Sequence, residues 1–307
     1  MAEGTGTAAL DPAAHAIAED RAPGAYGSVM LGLPALLFVA VFFVIPGASL
    51  FSESVLTQTA NGNIGLPVSL AQYHHLLATP VYRAVLLTTL RISAITAVLA
   101  MLAGFPVAIV IVRAGAAVSR IATIVLVAPL MVSVVVRNYG WQLLLGNSTT
   151  GVLNWLLHAL GTGPAPLHVM YSQTAVIIGS LHVFLPMMVL PLASAIARIP
   201  LALEEAARTL GASAWRVFWR VTVPMSLPGL IAGLMIVFSL TCSSFVTPAI
   251  LGGSHGAMLG NLLEEQALTV FNWPLSAAIG VVMVLLSVAV GGGVTRALQR
   301  RSFRVAA

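Results

Sequence analysis

The chain has 307 residues, 59% of them hydrophobic and 7% charged, with a mean hydropathy of +0.99; a water-soluble domain carries about 25% charged residues, so these figures exclude one and leave a membrane protein. All fourteen basic residues are arginines, which gives a net charge of +5, and they are scattered between apolar segments, which excludes the basic, aromatic-interleaved face of a nucleic-acid binder. The single cysteine, Cys242, excludes an intrachain disulfide and a cysteine metal cluster, and the absence of lysine excludes the phosphate-binding loop of a conventional ATPase.

Residues 1–28 are rich in Ala and Gly and slightly acidic. They lack the basic start and short apolar core, roughly 7 to 15 residues, of a secretory signal, and read as a disordered cytoplasmic tail before a retained first span. A helix that crosses the hydrocarbon core needs about 20 mostly apolar residues. Six segments meet or approach this: 29–51, 84–112, 119–145, 172–197, 225–251 and 273–295. The third is the weakest, because its apolar run over 121–136 must continue through Arg137. Pro34, Pro46, Pro106, Pro129, Pro186 and Pro191 lie within or at the ends of these segments and predict kinked helices whose freed backbone groups are satisfied by neighbours. In the fifth, Gly229 and Gly233 form a G-x-x-x-G step that permits close helix approach. The domain organisation expected is therefore a tail (1–28), a six-span domain (29–296) with one large inner loop (198–223), and a basic tail (297–307).

Cytoplasmic loops are enriched in arginine. With the amino terminus inside, eleven of the fourteen arginines fall on the inner side, and only Arg83, Arg91 and Arg137 toward the outer side. Both termini and the 198–223 loop are accordingly expected in the cytoplasm.

That loop leads into the stretch EEAARTLGASAWRVFWRVTVP, residues 204–224, which holds five of the chain's 23 charges. Pro200 can open a helix. Leu203, Ala206, Ala207 and Leu210 recur on one side of it, with Glu204, Glu205 and Arg208 toward the other. Glu204 and Arg208, four apart, are in the favourable order for an ion pair. Gly211 suits a left-handed position after the helix, and Ser213 can cap a second helix carrying Trp215, Phe218 and Trp219. That helix is expected to stop at Pro224, where the chain turns into the fifth span. On helical pattern alone the pair would rest on lipid headgroups, with the tryptophans as anchors.

The spacing adds more. Glu205-Ala206-Ala207, three residues, Gly211, nine residues, then Val221-Thr222-Val223-Pro224 resembles the E-A-A-x3-G-x9-I-x-L-P loop of ABC importer permeases, with valines for the isoleucine and leucine. Residues 128–146, 180–192, 244–253 and 260–279 resemble the first permease subunit of spermidine/putrescine-type importers, and the likeness covers roughly 29–296. Departures are Asn138, where threonine is more usual, and Glu264 and Glu265, where glutamines are common.

The resemblance implies an all-α, inner-membrane protein of six transmembrane helices with the type I ABC importer permease fold. It implies that the loop, through Glu204, Glu205, Ala206, Ala207, Arg208, Gly211, Ala212, Trp215 and Pro224, docks as a coupling helix on a separate ATPase. The implied partners are a second, paralogous permease, two ATPase subunits, a periplasmic or extracellular solute-binding protein and membrane lipid. ATP and magnesium would be used by the ATPase, and no cofactor by this chain. A polyamine is the expected cargo; related permeases carry opines, phosphonates or other small organic solutes, so an anionic or zwitterionic cargo stays open.

Among polar residues Arg137 stands out, because an ionised side chain at membrane depth usually faces a bundle interior or an aqueous cavity. Asn138, Tyr139 and Trp141 surround it in sequence, and His182 lies in the fourth span; these five are the candidate pathway residues. Alternatively, Arg137 snorkels to headgroups with Tyr139 and Trp141 as belt aromatics, and His182 makes a helix-to-helix hydrogen bond. The seven histidines form no paired metal-ligand pattern. The G-x-S-x-G at 252–256 joins two membrane helices, not the strand and helix of a nucleophile elbow. An ion-coupled secondary transporter would need a buried acid for a proton relay, and the spans offer none.

Overall fold

The computed structural model describes residues 33–59, 62–148, 151–161 and 167–305, with side chains as far as Arg296. The expected tail at 1–28 lies outside the described residues, and the last helix runs on as backbone to Val305, into the expected tail at 297–307.

The chain divides into residues 1–50 and 51–307. The described part of the first unit is one apolar helix, α1 (Leu33–Glu53), which ends just inside the second. It contains a π-helical turn, Ala40–Val44, closed by the Ile45 N–H on the Ala40 carbonyl, just before Pro46. A proline has no N–H for the carbonyl four residues back, and its ring crowds that carbonyl. Opening the ladder by one residue ahead of the ring lets the helix continue.

The second unit starts with a two-stranded hairpin, β1 (Thr57–Gln58) against β2 (Ile64–Gly65), antiparallel with Thr57 opposite Gly65. Helices follow in order: α2 (Ala71–Ala78), α3 (Pro80–Arg113), α4 (Ala116–Val127) with a 3-10 turn (Ala128–Met131), α5 (Val134–Leu145), α6 (Val152–Ala159) and α7 (Gln173–Ala197). Then come α8 (Leu201–Thr209), α9 (Ala214–Val217) with a π turn (Phe218–Thr222), α10 (Val223–Cys242), α11 (Val246–Leu251), α12 (Leu259–Leu268) and α13 (Trp273–Val305).

Five helical runs among the described residues are long and apolar enough to cross a membrane: Leu33–Glu53, Pro80–Arg113, Gln173–Ala197, Ala214–Cys242 and Trp273–Arg296. A sixth exists only if Ala116–Met131 and Val134–Leu145 are taken together, and these meet at 104°. The third expected span, 119–145, is thus broken. The 3-10 turn carries Pro129, and Val132 and Ser133 that follow are extended, which redirects the chain. The fifth expected span, 225–251, is also displaced: its helix begins at Ala214 and ends at Cys242, and α11 is a separate helix. No turn occurs at Pro224. The π turn Phe218–Thr222, closed by the Val223 N–H on the Phe218 carbonyl, absorbs that proline as the turn before Pro46 does in α1.

Helices α3, α7 and α10 form the centre of the bundle, with Phe105, Ala108, Val189, Leu192, Ile196 and Leu230 in one core cluster. Lipid tails are as apolar as these side chains, so close backbone approach and interhelical hydrogen bonds replace the hydrophobic drive available in water. A Cβ on Gly233 would meet Met188 Sδ at 2.6 Å, and one on Gly104 would meet Met188 Cγ at 2.9 Å. Polar ties add to this packing: the buried Thr89 hydroxyl accepts the Leu259 N–H at 2.8 Å, satisfying the start of α12.

Gly229 is the tightest test of this packing. An added Cβ would lie 2.5 Å from both Ala195 Cβ and the Pro191 carbonyl oxygen, and a backbone oxygen cannot rotate away. Gly229→Ala is expected to cost about 1–3 kcal/mol by overpacking, read as a lower thermal midpoint in detergent. Gly140→Ala, which meets nothing within 4 Å, should leave that midpoint unchanged or slightly higher.

Candidate functional site

The loop after α7 is built by local chemistry at both of its bends. Pro200, extended at φ −60° and ψ 129°, delivers the chain into α8. The end of α8 is a Schellman turn: the Gly211 N–H bonds the Arg208 carbonyl at 2.9 Å and the Ala212 N–H bonds the Ala207 carbonyl at 3.0 Å. Gly211 has φ +82°, a left-handed conformation that a side chain resists. A Cβ there would meet nothing within 4 Å, so the constraint lies in the backbone and not in a neighbour. Ser213 Oγ then accepts the Arg216 N–H at 3.4 Å and caps α9.

The expected pair between Glu204 and Arg208 does not form. Glu204 Oε1 instead accepts from Arg113 Nη2 at 3.0 Å, and Thr222 Oγ1 donates to the same oxygen at 3.4 Å. Arg113 Nη2 also donates to the Ile199 carbonyl at 3.1 Å. The two side chains are 21% and 13% exposed, and theirs is the one ion pair among the described residues. An exposed i, i+4 pair contributes about 0.3–0.5 kcal/mol; a sheltered pair that also draws in a hydroxyl and a carbonyl is less screened and outweighs it.

This choice sets which way α8 faces. Glu204 turns inward, so Leu201, Leu203 and Leu210 point out, Leu210 with 90% of its surface exposed. Within this chain the leucine side is left bare. Ala206 and Glu205 are exposed as well, and the Glu205 carboxylate bonds no other described residue. Arg208 lines a hollow of about 340 Å³ together with Arg113, Glu204, Ala214 and Thr222. A second hollow of about 250 Å³ lies between α8 and α9, where Ala207, Leu210 and Ala212 face Arg216 and Arg220.

The aromatic residues gather elsewhere on α9 and its π turn. Trp215 stacks on Phe218 with ring centroids 5.8 Å apart, Trp219 stands edge-on to both, and Phe218 meets Phe105 of α3 at 5.1 Å. Trp215 and Trp219 line an apolar cavity of about 410 Å³ with Met101, Phe105, Pro106 and Leu230. The element therefore presents an apolar aromatic side along the bundle and a side of bare leucines and unpaired charges away from it. Pro224 lies one residue inside α10, directly after the π turn.

The five candidate pathway residues separate into two groups. Trp141 Nε1 donates to His182 Nδ1 at 3.1 Å across α5 and α7, with the rings 5.6 Å apart and nearly perpendicular. An indole N–H only donates, so Nδ1 is a bare acceptor and the imidazole carries its proton on Nε2. Arg137 lies within electrostatic reach of His182, and its Nε and Nη1 are enclosed without a hydrogen-bond partner. Asn138, fully buried, points elsewhere, donating to Thr247 Oγ1 at 3.2 Å and to the Val134 carbonyl at 3.0 Å, which ties α5 to α11. Tyr139 is exposed. Sequence reasoning missed Arg113, Thr222 and Thr247. The first served only to orient the chain, and no spacing links any of them to its partner.

A family profile described as the inner membrane component of a binding-protein-dependent transport system matches residues 100–304. The chain is 32% identical over 247 residues to the spermidine/putrescine transport system permease protein PotB of Haemophilus influenzae, covering 80% of this chain and 85% of that protein. It is 31% identical over 249 residues to PotB of Escherichia coli K12, with 81% and 90% covered. Its fold matches a chain of a bacterial alginate ABC transporter, solved in complex with an alginate pentasaccharide-bound periplasmic protein, with a TM-score of 0.72 at 17% identity over 90% of this chain and 94% of that one. At that identity the likeness is one of fold. The chain belongs to the family of inner-membrane components of binding-protein-dependent transport systems, and is a multi-pass protein of the inner membrane.

Proposed function

We propose that this chain is the permease subunit of an ATP-driven importer and forms half of a pathway for a polyamine-class solute by alternating access. It works with a second permease, two ATPase subunits and a solute-binding protein. The relatives named for spermidine/putrescine transport support the cargo class. The observation that carries the mechanism is the outward face of Leu201–Thr209: a helix tied to the bundle by Arg113, yet offering bare leucines and the free Glu205 carboxylate. Such a face suits a soluble partner better than headgroups, because the negative surface potential of a cytoplasmic leaflet disfavours the Glu205 carboxylate. The arginine distribution supports placing both termini and this loop in the cytoplasm, where the ATPase meets it. ATP and magnesium are handled by that partner; this chain makes and breaks no covalent bond.

A second reading of the cargo has its own support. The Nε and Nη1 groups of Arg137 lack acceptors, the His182 Nε2–H is also a donor, and the only acid in the described crossing helices is Glu53 at the end of α1. Donors without a nearby acid suit a solute bearing a carboxylate or phosphonate, and Arg137 would repel a bare polycation in a shared lumen.

Glu205→Ala and Gly211→Val are expected to lower uptake and the amount of ATPase that co-purifies with a tagged chain, at unchanged membrane abundance. The first removes a charge-assisted contact of about 1.5–3 kcal/mol, or tenfold and more in affinity. The second puts a branched side chain at a left-handed position. Full ATPase retention with normal uptake in both would return the loop to an interfacial helix pair. Arg137→Ala separates the cargo readings: spermidine uptake preserved within about twofold supports the polycation, whereas loss of about tenfold or more for a carboxylated solute, partly restored by Arg137→Lys, supports the anionic one.

A further inference from the structure

We propose that Arg113 is a positioning residue for energy coupling: with Glu204 it latches α8 to the bundle, so that displacement of the loop moves the ends of α3, α7 and α10 together. The proposal rests on the reading that this loop docks on an ATPase.

Apart from its packing against α9 and the π turn, α8 is held by two covalent joints, and both are bends. One is the extended Pro200 entry and the other is Gly211 at φ +82°. A helix of nine residues between two such joints could pivot when pushed, and its motion would be lost. Arg113 prevents this from outside the loop. It is the last residue of α3, and its Nη2 reaches both the Ile199 carbonyl, just ahead of the first joint, and Glu204, in the first turn of α8. Glu204 in turn accepts the Thr222 hydroxyl from the π turn that leads into α10. The end of α3, the first turn of α8 and the π turn ahead of α10 thereby meet at one carboxylate.

The placement strengthens the tie. A cation at the carboxyl end of α3 and an anion at the amino end of α8 are each favoured by the helix dipole there. Both side chains are mostly sheltered, so salt and water weaken the attraction less than they would on an open surface. Arg113 Nε is enclosed with no partner, so losing Glu204 would leave a guanidinium still less compensated. Arg208 lines the same hollow and can take over Glu204 when Arg113 is removed. That exchange would preserve an ion pair within α8 while cutting its link to the bundle, so loop integrity and transmission can be told apart.

The test uses the complete transporter, tagged on this chain and reconstituted with its binding protein. ATPase retention, ATP hydrolysis and uptake of labelled spermidine are measured on the same preparation. If the wild-type complex retains no ATPase, the underlying reading fails and the latch with it. If the wild type retains its ATPase and transports, Arg113→Ala should keep the ATPase bound while uptake per ATP hydrolysed falls about tenfold. Arg113→Lys, which keeps the charge, should retain most of the ratio. Arg113→Glu and Glu204→Arg should each uncouple, and the double variant, which restores opposite charges, should recover at least half of what the singles lose. A wild-type ratio in Arg113→Ala would overturn the proposal. So would loss of the ATPase in step with uptake, or a charge swap no better than the single variants, because the pair would then serve assembly and not transmission.

Discussion

A proline inside a helix removes one backbone hydrogen bond and crowds the carbonyl four residues back, and the loop's connection to the bundle depends on how the chain meets that constraint at Pro224. In α register the ring would collide with the carbonyl four residues back and leave it unpaired. The π turn Phe218–Thr222 shifts the ladder so that the Val223 N–H reaches Phe218, and Ala214–Cys242 runs as one continuous helix. The second loop helix is thus the first part of a membrane span. A turn at Pro224 would have left the loop as an appendage, free to move without the bundle. Continuity makes it the exposed end of a lever whose other end lies deep among α3 and α7.

The lever works only if its neighbours are close enough to feel it. Gly229 and Gly233 bring α10 against Pro191, Ala195 and Met188 of α7, and Gly104 brings α3 against Met188 from another side. Where a soluble protein would rely on large apolar side chains expelling water, this bundle relies on near contact between backbones. Side chains carry the remaining connections as directed hydrogen bonds: Thr89 to the start of α12, Asn138 to Thr247, Trp141 to His182. Each joins helices that the chain itself does not connect directly.

What the sequence made legible was local. Four of the six apolar runs, the Gly211 turn and the Ser213 cap depend on residues within a few positions of each other, and the structure has them where the sequence places them. The partner of Glu204 was not, because the nearest basic residue on its own helix is four positions away and the actual partner is ninety-one. Hydropathy carries no direction, so the 104° break between Met131 and Val134 was hidden inside a continuous apolar stretch. Pro224 was read with the rule for an α ladder, and nothing in FWRVT announces a π turn. Arg137 and Asn138 are adjacent in sequence and were grouped together, yet consecutive positions on a helix point about 100° apart, and the structure directs them to different neighbours.

The central claim is that the loop and the helix Ala214–Cys242 move as one body. In a Cys242→Ser background, spin labels at Leu210 and Ile236, both exposed and on either side of the π turn, would report this directly through their distance distribution in the reconstituted complex. The account predicts a single narrow distribution, unchanged to within about 1 Å, well under the 5.4 Å rise of one helical turn, when ATP and loaded binding protein are added. A distribution that broadens or shifts by several ångströms on ATP addition would contradict it, because the loop would then be hinging on the helix instead of driving it.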